Sequence, residues 1–222
     1  MPSLATATFR QSLSVSFTVG LYGIACGAAS VAAGLSVLQT SALSLLTFTG
    51  ASQFAAVGVV GAGGGAAAAI ATAGLLGTRN ALYGLQMAPR LQLRGWRRIL
   101  AAHWTIDEST NVAIAQEPVG PAAVTAGFWL TGGGVYLFWN IFTLAGALGA
   151  KSIGSPSAWG LDAAVPAAFL GLLWPRLTTR STRGIAVGAA LFALGATTAL
   201  PPGTAIIASA VVAVLAGWRG NK

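Results

Sequence analysis

Long runs of apolar residues, separated by short polar or glycine-rich gaps, dominate the sequence. The runs are too continuous for the alternating pattern of barrel strands, so helices are the expected spanning elements. Because a bilayer-spanning helix needs about 20 residues, the pattern predicts an all-α polytopic transmembrane helical bundle with roughly six to seven membrane segments. A single membrane domain would cover 1–222, with 1–11 as a short N-terminal tail. The apolar segments are approximately 13–38, 42–60, 66–87, 121–148, 159–174, 184–200 and 204–218.

Three regions depart from a plain spanning pattern. Segment 42–60 is interrupted by polar and glycine residues between Thr47 and Gln53, which predicts a broken or re-entrant segment. Segment 121–148 is long and contains three consecutive glycines, which favours a tilted or broken helix. The stretch 101–117 has the composition of a helix but is too polar to face lipid. Most of the 30 glycines are expected to serve close helix packing.

Composition excludes several classes of protein. Only 7% of the residues are charged and 55% are hydrophobic, so the chain cannot cover a water-facing surface, and a soluble enzyme or a disordered chain is excluded. The net charge of +8 does not indicate nucleic-acid binding, because the basic residues lie in gaps between apolar runs. Such positions follow the positive-inside rule. The loops 89–98 and 175–183 and the C-terminus are therefore expected on the cytoplasmic side, whereas the side of the N-terminus stays open.

Ionisable residues within apolar segments are candidates for function because they are costly there unless paired or hydrated. Arg79 either extends to the interface or forms part of a substrate or coupling site. Asp107 and Glu108 either offset nearby arginines or exchange protons. With only four acids in the chain, Arg79 is predicted to pair with Asp107 or Glu108, Asp107 being preferred. His103 has no evident partner.

The polar residues of segment 42–60 allow two interpretations. An unwound turn at Gly50–Gln53 would expose backbone groups that transporters use to bind charged ends of amino acids and ions. Alternatively, Thr49, Ser52 and Gln53 form hydrogen bonds between helices.

The lone Cys26 indicates neither a disulfide nor a metal site. The first apolar segment is expected to be retained rather than cleaved as a signal peptide.

Signatures of enzymes are absent from the sequence. It contains no H-E-x-x-H, G-x-S-x-G or Walker A motif, and its acids are too few for a multi-carboxylate metal site. We therefore expect neither enzymatic activity nor a cofactor. Asp162, near the start of the fifth segment, is either an acid at the outer interface, which is favoured, or a residue of a cavity.

Three short motifs resemble those of one family in the same order and at similar spacing. FTGASQF at 48–54 resembles the aGasQF signature of AzlC-like branched-chain amino-acid permeases. LGTRNALYG at 76–84 resembles the N/D-x-R-H-x-L-Y-G element of that family, and WTIDE at 104–108 resembles its L-T-D-E element. Three positions depart from the pattern, namely Gly77, Asn80 and Ile106.

The resemblance implies a bacterial inner-membrane, multi-pass permease that exports branched-chain or other small apolar amino acids, possibly with proton coupling. It also implies a partner, a small AzlD-like multi-helix membrane subunit. The alternative is a structural or assembly subunit of a transport complex without a substrate site of its own. No nucleic-acid partner is expected. The candidate substrate-binding or coupling residues are Gly50, Ser52, Gln53, Arg79, Asn80, Tyr83, Asp107 and Glu108.

Overall fold

The computed structural model describes residues 4–152, 163–201 and 204–220. Across these ranges the secondary structure is helical with no strand, which confirms the all-α fold class. A short 3₁₀ turn at Trp174–Arg176 follows the eighth helix. Asp162 and the residues at 202–203 lie outside the described ranges. The helices are α1 (Leu4–Ala32), α2 (Val37–Leu46), α3 (Gly50–Gly61), α4 (Ala66–Leu91), α5 (Trp96–Trp104), α6 (Asp107–Ala115), α7 (Pro121–Ser152), α8 (Ala164–Leu173), α9 (Arg180–Ala196) and α10 (Thr204–Gly220).

Within the described ranges, two helices are long and apolar enough to cross a bilayer on their own. They cover Thr6–Ala32 within α1 and Pro121–Ser152, the whole of α7. Shorter apolar helices occur at Val37–Leu46, Gly50–Gly61 and Thr204–Trp218. These lengths fit a membrane protein, and the count of six to seven membrane segments stays a prediction.

The pairing of α1 with α7 forms the centre of the molecule. Gly27 of α1 faces the backbone of Thr143, and Gly146 of α7 faces the backbone of Ile24, so closely that neither position has room for a Cβ atom. Small residues let helix backbones approach in this way. The contacts confirm the packing role predicted for glycines in these segments.

Helix α7 is continuous, so a break at its three consecutive glycines is a wrong expectation. With 32 residues it is about 48 Å long, at about 1.5 Å per residue, and its length alone accounts for the unusual extent of the apolar segment. Gly132 and Gly133 lie against the side chain of Trp104, and Gly134 lies against Ser16. Packing therefore explains the three glycines.

The break predicted in segment 42–60 is confirmed. Helix α2 ends at Leu46, α3 begins at Gly50, and Thr49 between them has an extended backbone with φ −160° and ψ 105°. The first predicted segment, 13–38, is also divided, because α1 ends at Ala32 and Gly34 adopts φ +92°, a conformation that favours glycine.

A second break divides the polar stretch that the sequence treats as one potential helix. Helix α5 ends at Trp104, and α6 begins at Asp107 after two residues with extended backbone, Thr105 and Ile106. Ser109 Oγ accepts a hydrogen bond from the Ile106 amide at 3.1 Å and donates one to the Trp104 carbonyl at 2.7 Å. One side chain thus binds the backbone on both sides of the break. At the other end of the chain, α9 and α10 pack against each other.

Candidate functional site

The two helix breaks lie beside one cavity of about 270 Å³. The start of α3 contributes Gly50 and Ala51, and the start of α6 contributes Asp107 and Glu108. Arg79 of α4 also lines the cavity. The opposite wall is largely apolar, and it includes Phe48, Phe54, Leu76, Val135, Trp139 and Phe169. The cavity therefore combines a charged end with an apolar surface.

Asp107 joins two arginines inside this cavity. Its Oδ2 atom lies 3.1 Å from Nη1 of Arg79 and 3.4 Å from Nη2 of Arg176. The Asp107 side chain is 17% exposed, against 33% for Arg79 and 66% for Arg176. The pair of Asp107 with Arg79 is therefore better shielded from water than the pair of Asp107 with Arg176. The predicted pairing of Arg79 with Asp107 is confirmed. The Nε atom of Arg79 is buried and finds no acceptor among the described residues, so one N–H donor of this guanidinium group is unused.

Glu108 provides a second carboxyl group beside this ion pair. It lies in α6, which has nine residues and is too short to span a bilayer. Burial raises the pKa of the Glu108 carboxyl, because removal from water disfavours the charged form; Asp107 adds to the rise, whereas Arg79 and Arg176 oppose it. A carboxyl with a raised pKa can bind and release a proton closer to neutral pH.

The N-termini of α3 and α6 differ in which groups lie near their first backbone N–H donors. In α6, Asp107 and Glu108 occupy the first turn, where negative charge complements the helix dipole. In α3, the Thr49 side chain makes no capping hydrogen bond to the helix, and the first turn contains no acid. Since the first amides of a helix have no intrahelical acceptor, the start of α3 offers unpaired N–H donors and a partial positive charge at the cavity wall.

Gln53 and Ser52 belong to the first motif, but neither is among the described residues that line the cavity. Gln53 is 1% exposed. Its Nε2 atom donates to the carbonyls of Thr47 at 3.0 Å and Ser44 at 3.4 Å, and its Oε1 atom accepts from Nε1 of Trp139 at 2.9 Å. Gln53 thus satisfies carbonyls that the end of α2 leaves open, and it fixes the shape of the break.

Trp139 is a residue that sequence reasoning missed. A Cβ atom on Gly50 would lie only 2.8 Å from Cη2 of the Trp139 ring, so the outer edge of the indole packs closely against the start of α3 while its N–H binds Gln53. Its signal in the sequence was weak, because a tryptophan in an apolar segment is expected simply to face lipid or core. A buried indole needs an acceptor for its N–H, and Gln53 was the available candidate.

Two other candidates from the second motif do not line the cavity. Asn80 follows Arg79 directly and therefore points about 100° away around α4, and its Oδ1 atom is buried without a partner among the described residues. Tyr83 lies one turn further along α4. Arg176, which the sequence assigned only to a basic loop, instead reaches the cavity.

His103, for which the sequence suggested no partner, has one. Its Nε2 atom lies 3.1 Å from the Leu45 carbonyl, and its ring contacts the rings of Phe48 and Tyr136. Tyr136 Oη donates to the same carbonyl at 3.4 Å. The contacts connect the end of α2 to α5 and α7, and they indicate a role for His103 in supporting the first break.

Comparison with known proteins gives one family. Residues 14–153 match the family model described as AzlC protein, which covers more than half of the chain. The matched range includes both helix breaks and every cavity residue up to Trp139, whereas Phe169 and Arg176 lie beyond it. No curated protein and no solved structure matches the chain.

Proposed function

Since the chain belongs to the AzlC family, a family associated with membrane transport rather than with enzymatic activity, we propose that it is a permease subunit that exports branched-chain or other small apolar amino acids. The observation that supports this proposal best is the cavity between the two helix breaks. Its charged end and apolar wall match the two parts of such a substrate, a zwitterionic head and a hydrocarbon side chain.

The charged groups of the cavity suit a zwitterion. Among the described residues, two guanidinium groups and two carboxyl groups surround the cavity, so an added carboxylate and an added ammonium each find an opposite charge. The substrate carboxylate would bind the open N-terminus of α3 and the unused donor of Arg79, as discontinuous helices bind carboxylates in other transporters. The ammonium would bind Glu108, because Asp107 is already engaged by two arginines.

Proton coupling follows from Glu108 in this proposal. A carboxyl with a raised pKa gains a proton as the pH falls towards the acid side of neutral, and inward release of that proton can accompany outward movement of an amino acid. Loss of the proton at higher pH then slows export. The ion pair of Asp107 with Arg79 would hold the charged end of the cavity together.

We expect the pH dependence of export to need Glu108. In the wild-type protein, export should fall as the external pH rises above the ordinary glutamate range of about 4.3 and through the raised pKa. Glu108→Gln can neither exchange a proton nor pair with the substrate ammonium, so it should export more slowly and with a flat pH profile. Glu117→Gln is the matched control, because Glu117 pairs with Arg90 at 2.6 Å outside the cavity. An unchanged profile in Glu108→Gln would remove Glu108 from the coupling step.

The proposed setting is the bacterial inner membrane, with the two basic loops and the C-terminus in the cytoplasm. Single cysteines in place of Arg94 and Arg180, on a Cys26→Ala background, should react with an impermeant maleimide from the cytoplasmic face only. Cys26 contacts Gln53 through a weak 3.7 Å interaction, so the background substitution should be mild. Labelling of the two sites from opposite faces would contradict this topology.

The proposed partner is a small AzlD-like multi-helix membrane subunit. Export is best tested by counterflow of labelled leucine in proteoliposomes, with this chain alone and with the partner. We expect counterflow from the pair, and loss of counterflow when the cavity is altered by Asp107→Asn in this chain. Counterflow that survives every cavity substitution would indicate that the partner contains the substrate site and that this chain is a structural subunit.

A further inference from the structure

A second and larger cavity lies next to the first. It has a volume of about 550 Å³ and is bounded by α1, α3, α4, α8 and α10. Its walls consist of apolar and small residues, among them Ala33, Ala55, Gly58 and Ala62. Among the described residues, its lining contains none of the charged side chains that mark the first cavity. A zwitterionic head would lose its hydration here without any compensating contact.

Two side chains belong to the walls of both cavities. Leu76 of α4 lies one helical turn before Arg79, and Phe169 of α8 forms an edge-on contact with Phe54, their ring centroids being 6.2 Å apart. Phe54 itself lines the charged cavity and packs against Trp139. The boundary between the cavities is therefore a pair of apolar side chains, and one of them, Leu76, lies one helical turn from Arg79.

We propose that the second cavity is the subsite for the substrate side chain, and that Leu76 and Phe169 form its entrance. This inference rests on the proposed function. The zwitterionic head stays with Arg79, Asp107 and Glu108. The hydrocarbon part follows the apolar wall of the first cavity and, when it is long enough, passes between Leu76 and Phe169 into the second cavity. Burial of the side chain there provides binding free energy in proportion to its apolar area, so apolar amino acids are selected over polar ones.

The size of the second cavity makes the proposal specific. Small-molecule sites commonly have volumes of about 300–1,000 Å³ for whole ligands, whereas here a cavity of about 550 Å³ would receive a side chain alone. A subsite that fitted only branched side chains would have a far smaller volume. The chain should therefore accept larger apolar side chains, including that of phenylalanine, and it should reject polar side chains of similar size.

Narrowing the second cavity should change this preference. Gly58→Leu, on the α3 wall, should lower the ratio of phenylalanine to alanine export by about tenfold or more, since one or two misplaced methylenes in an apolar pocket cost about that much. Gly74→Leu in α4 is the matched control, because a Cβ atom there meets nothing within 4 Å and Gly74 lines neither cavity. Ala62→Leu, at the exposed rim of the same cavity, provides a second narrowing variant should Gly58→Leu fail to fold.

The readout is efflux of labelled phenylalanine, leucine and alanine from proteoliposomes containing the full chain and its partner. We expect Leu76→Ala to raise the ratio of phenylalanine to alanine export and both narrowing variants to lower it, with Gly74→Leu unchanged. Equal losses for all three amino acids in the narrowing variants would overturn the subsite and indicate that lipid or a partner helix fills this cavity. A wild-type protein that exports none of them would instead refute the proposed function itself.

Discussion

Asp107→Asn should abolish export and should destabilise the protein more than Arg79→Gln does. Asp107 is the shared acceptor of Arg79 and Arg176, so its removal leaves two guanidinium groups with Glu108 as the remaining carboxyl group of the cavity. Removal of Arg79 leaves Asp107 with Arg176 still beside it. Breaking a fully buried pair costs about 3–5 kcal/mol, and the partial exposure of these groups reduces the expected cost to about 1–3 kcal/mol.

The double variant, Arg79→Gln with Asp107→Asn, should be more stable than the sum of the two single effects implies, because it leaves no uncompensated charge from that pair. The measurement is a double-mutant cycle read by thermal unfolding in detergent and by export. A parallel cycle of Arg79→Gln with Glu108→Gln should show weaker coupling, since no ion pair joins these residues in the described structure. Strict additivity in both cycles would show that Arg79 is paired with neither acid.

Gln53→Leu should also abolish export, and the structure changes the expected reason. If Gln53 bound substrate directly, leucine would be tolerated by the fold and only transport would fail. Gln53 instead bonds the Thr47 carbonyl and the Trp139 indole in the interior. Leucine leaves both groups unsatisfied at a cost of about 1–3 kcal/mol each, so we expect loss of stability together with loss of export.

The control for Gln53→Leu is Gln86→Leu on an exposed surface of α4, which should leave stability and export unchanged. Trp139→Phe should reproduce part of the defect, because it removes one hydrogen bond to Gln53 and keeps an aromatic ring against Gly50. Thermal unfolding and leucine counterflow measure the two effects separately. If Gln53→Leu unfolds at the wild-type temperature but exports nothing, Gln53 contacts substrate after all.

Several features of the site could be predicted from the sequence because they follow from the scarcity of polar residues. In an apolar segment, the polar run from Thr47 to Gln53 has no simple explanation other than a break or a hydrogen-bonded contact, and both are present. With only four acids in the chain, the partner of Arg79 was nearly determined. The all-α class followed from the length and continuity of the apolar runs.

Other features depend on tertiary contacts that the pattern does not contain. The second break forms because Ser109 binds the backbone of Trp104 and Ile106, whereas the composition of 101–117 is equally compatible with one helix. The direction in which Ser52 and Gln53 point could not be inferred, because the other residues of α3 are apolar or small on every face of the helix. Arg176 belongs to a basic loop by sequence, and only the fold brings it within 3.4 Å of Asp107.

Substrate protection of a single cysteine in the cavity tests the central claim most directly. Ala51→Cys places a thiol on the cavity wall at the start of α3, and Ala88→Cys places one on the exposed surface of α4, both on a Cys26→Ala background. Leucine at saturating concentration should slow reaction of a small methanethiosulfonate reagent with Ala51→Cys by about tenfold, as expected when about 90% of the sites are occupied, and should leave Ala88→Cys unaffected. Equal reaction rates with and without leucine at Ala51→Cys would contradict the assignment of this cavity as the substrate site.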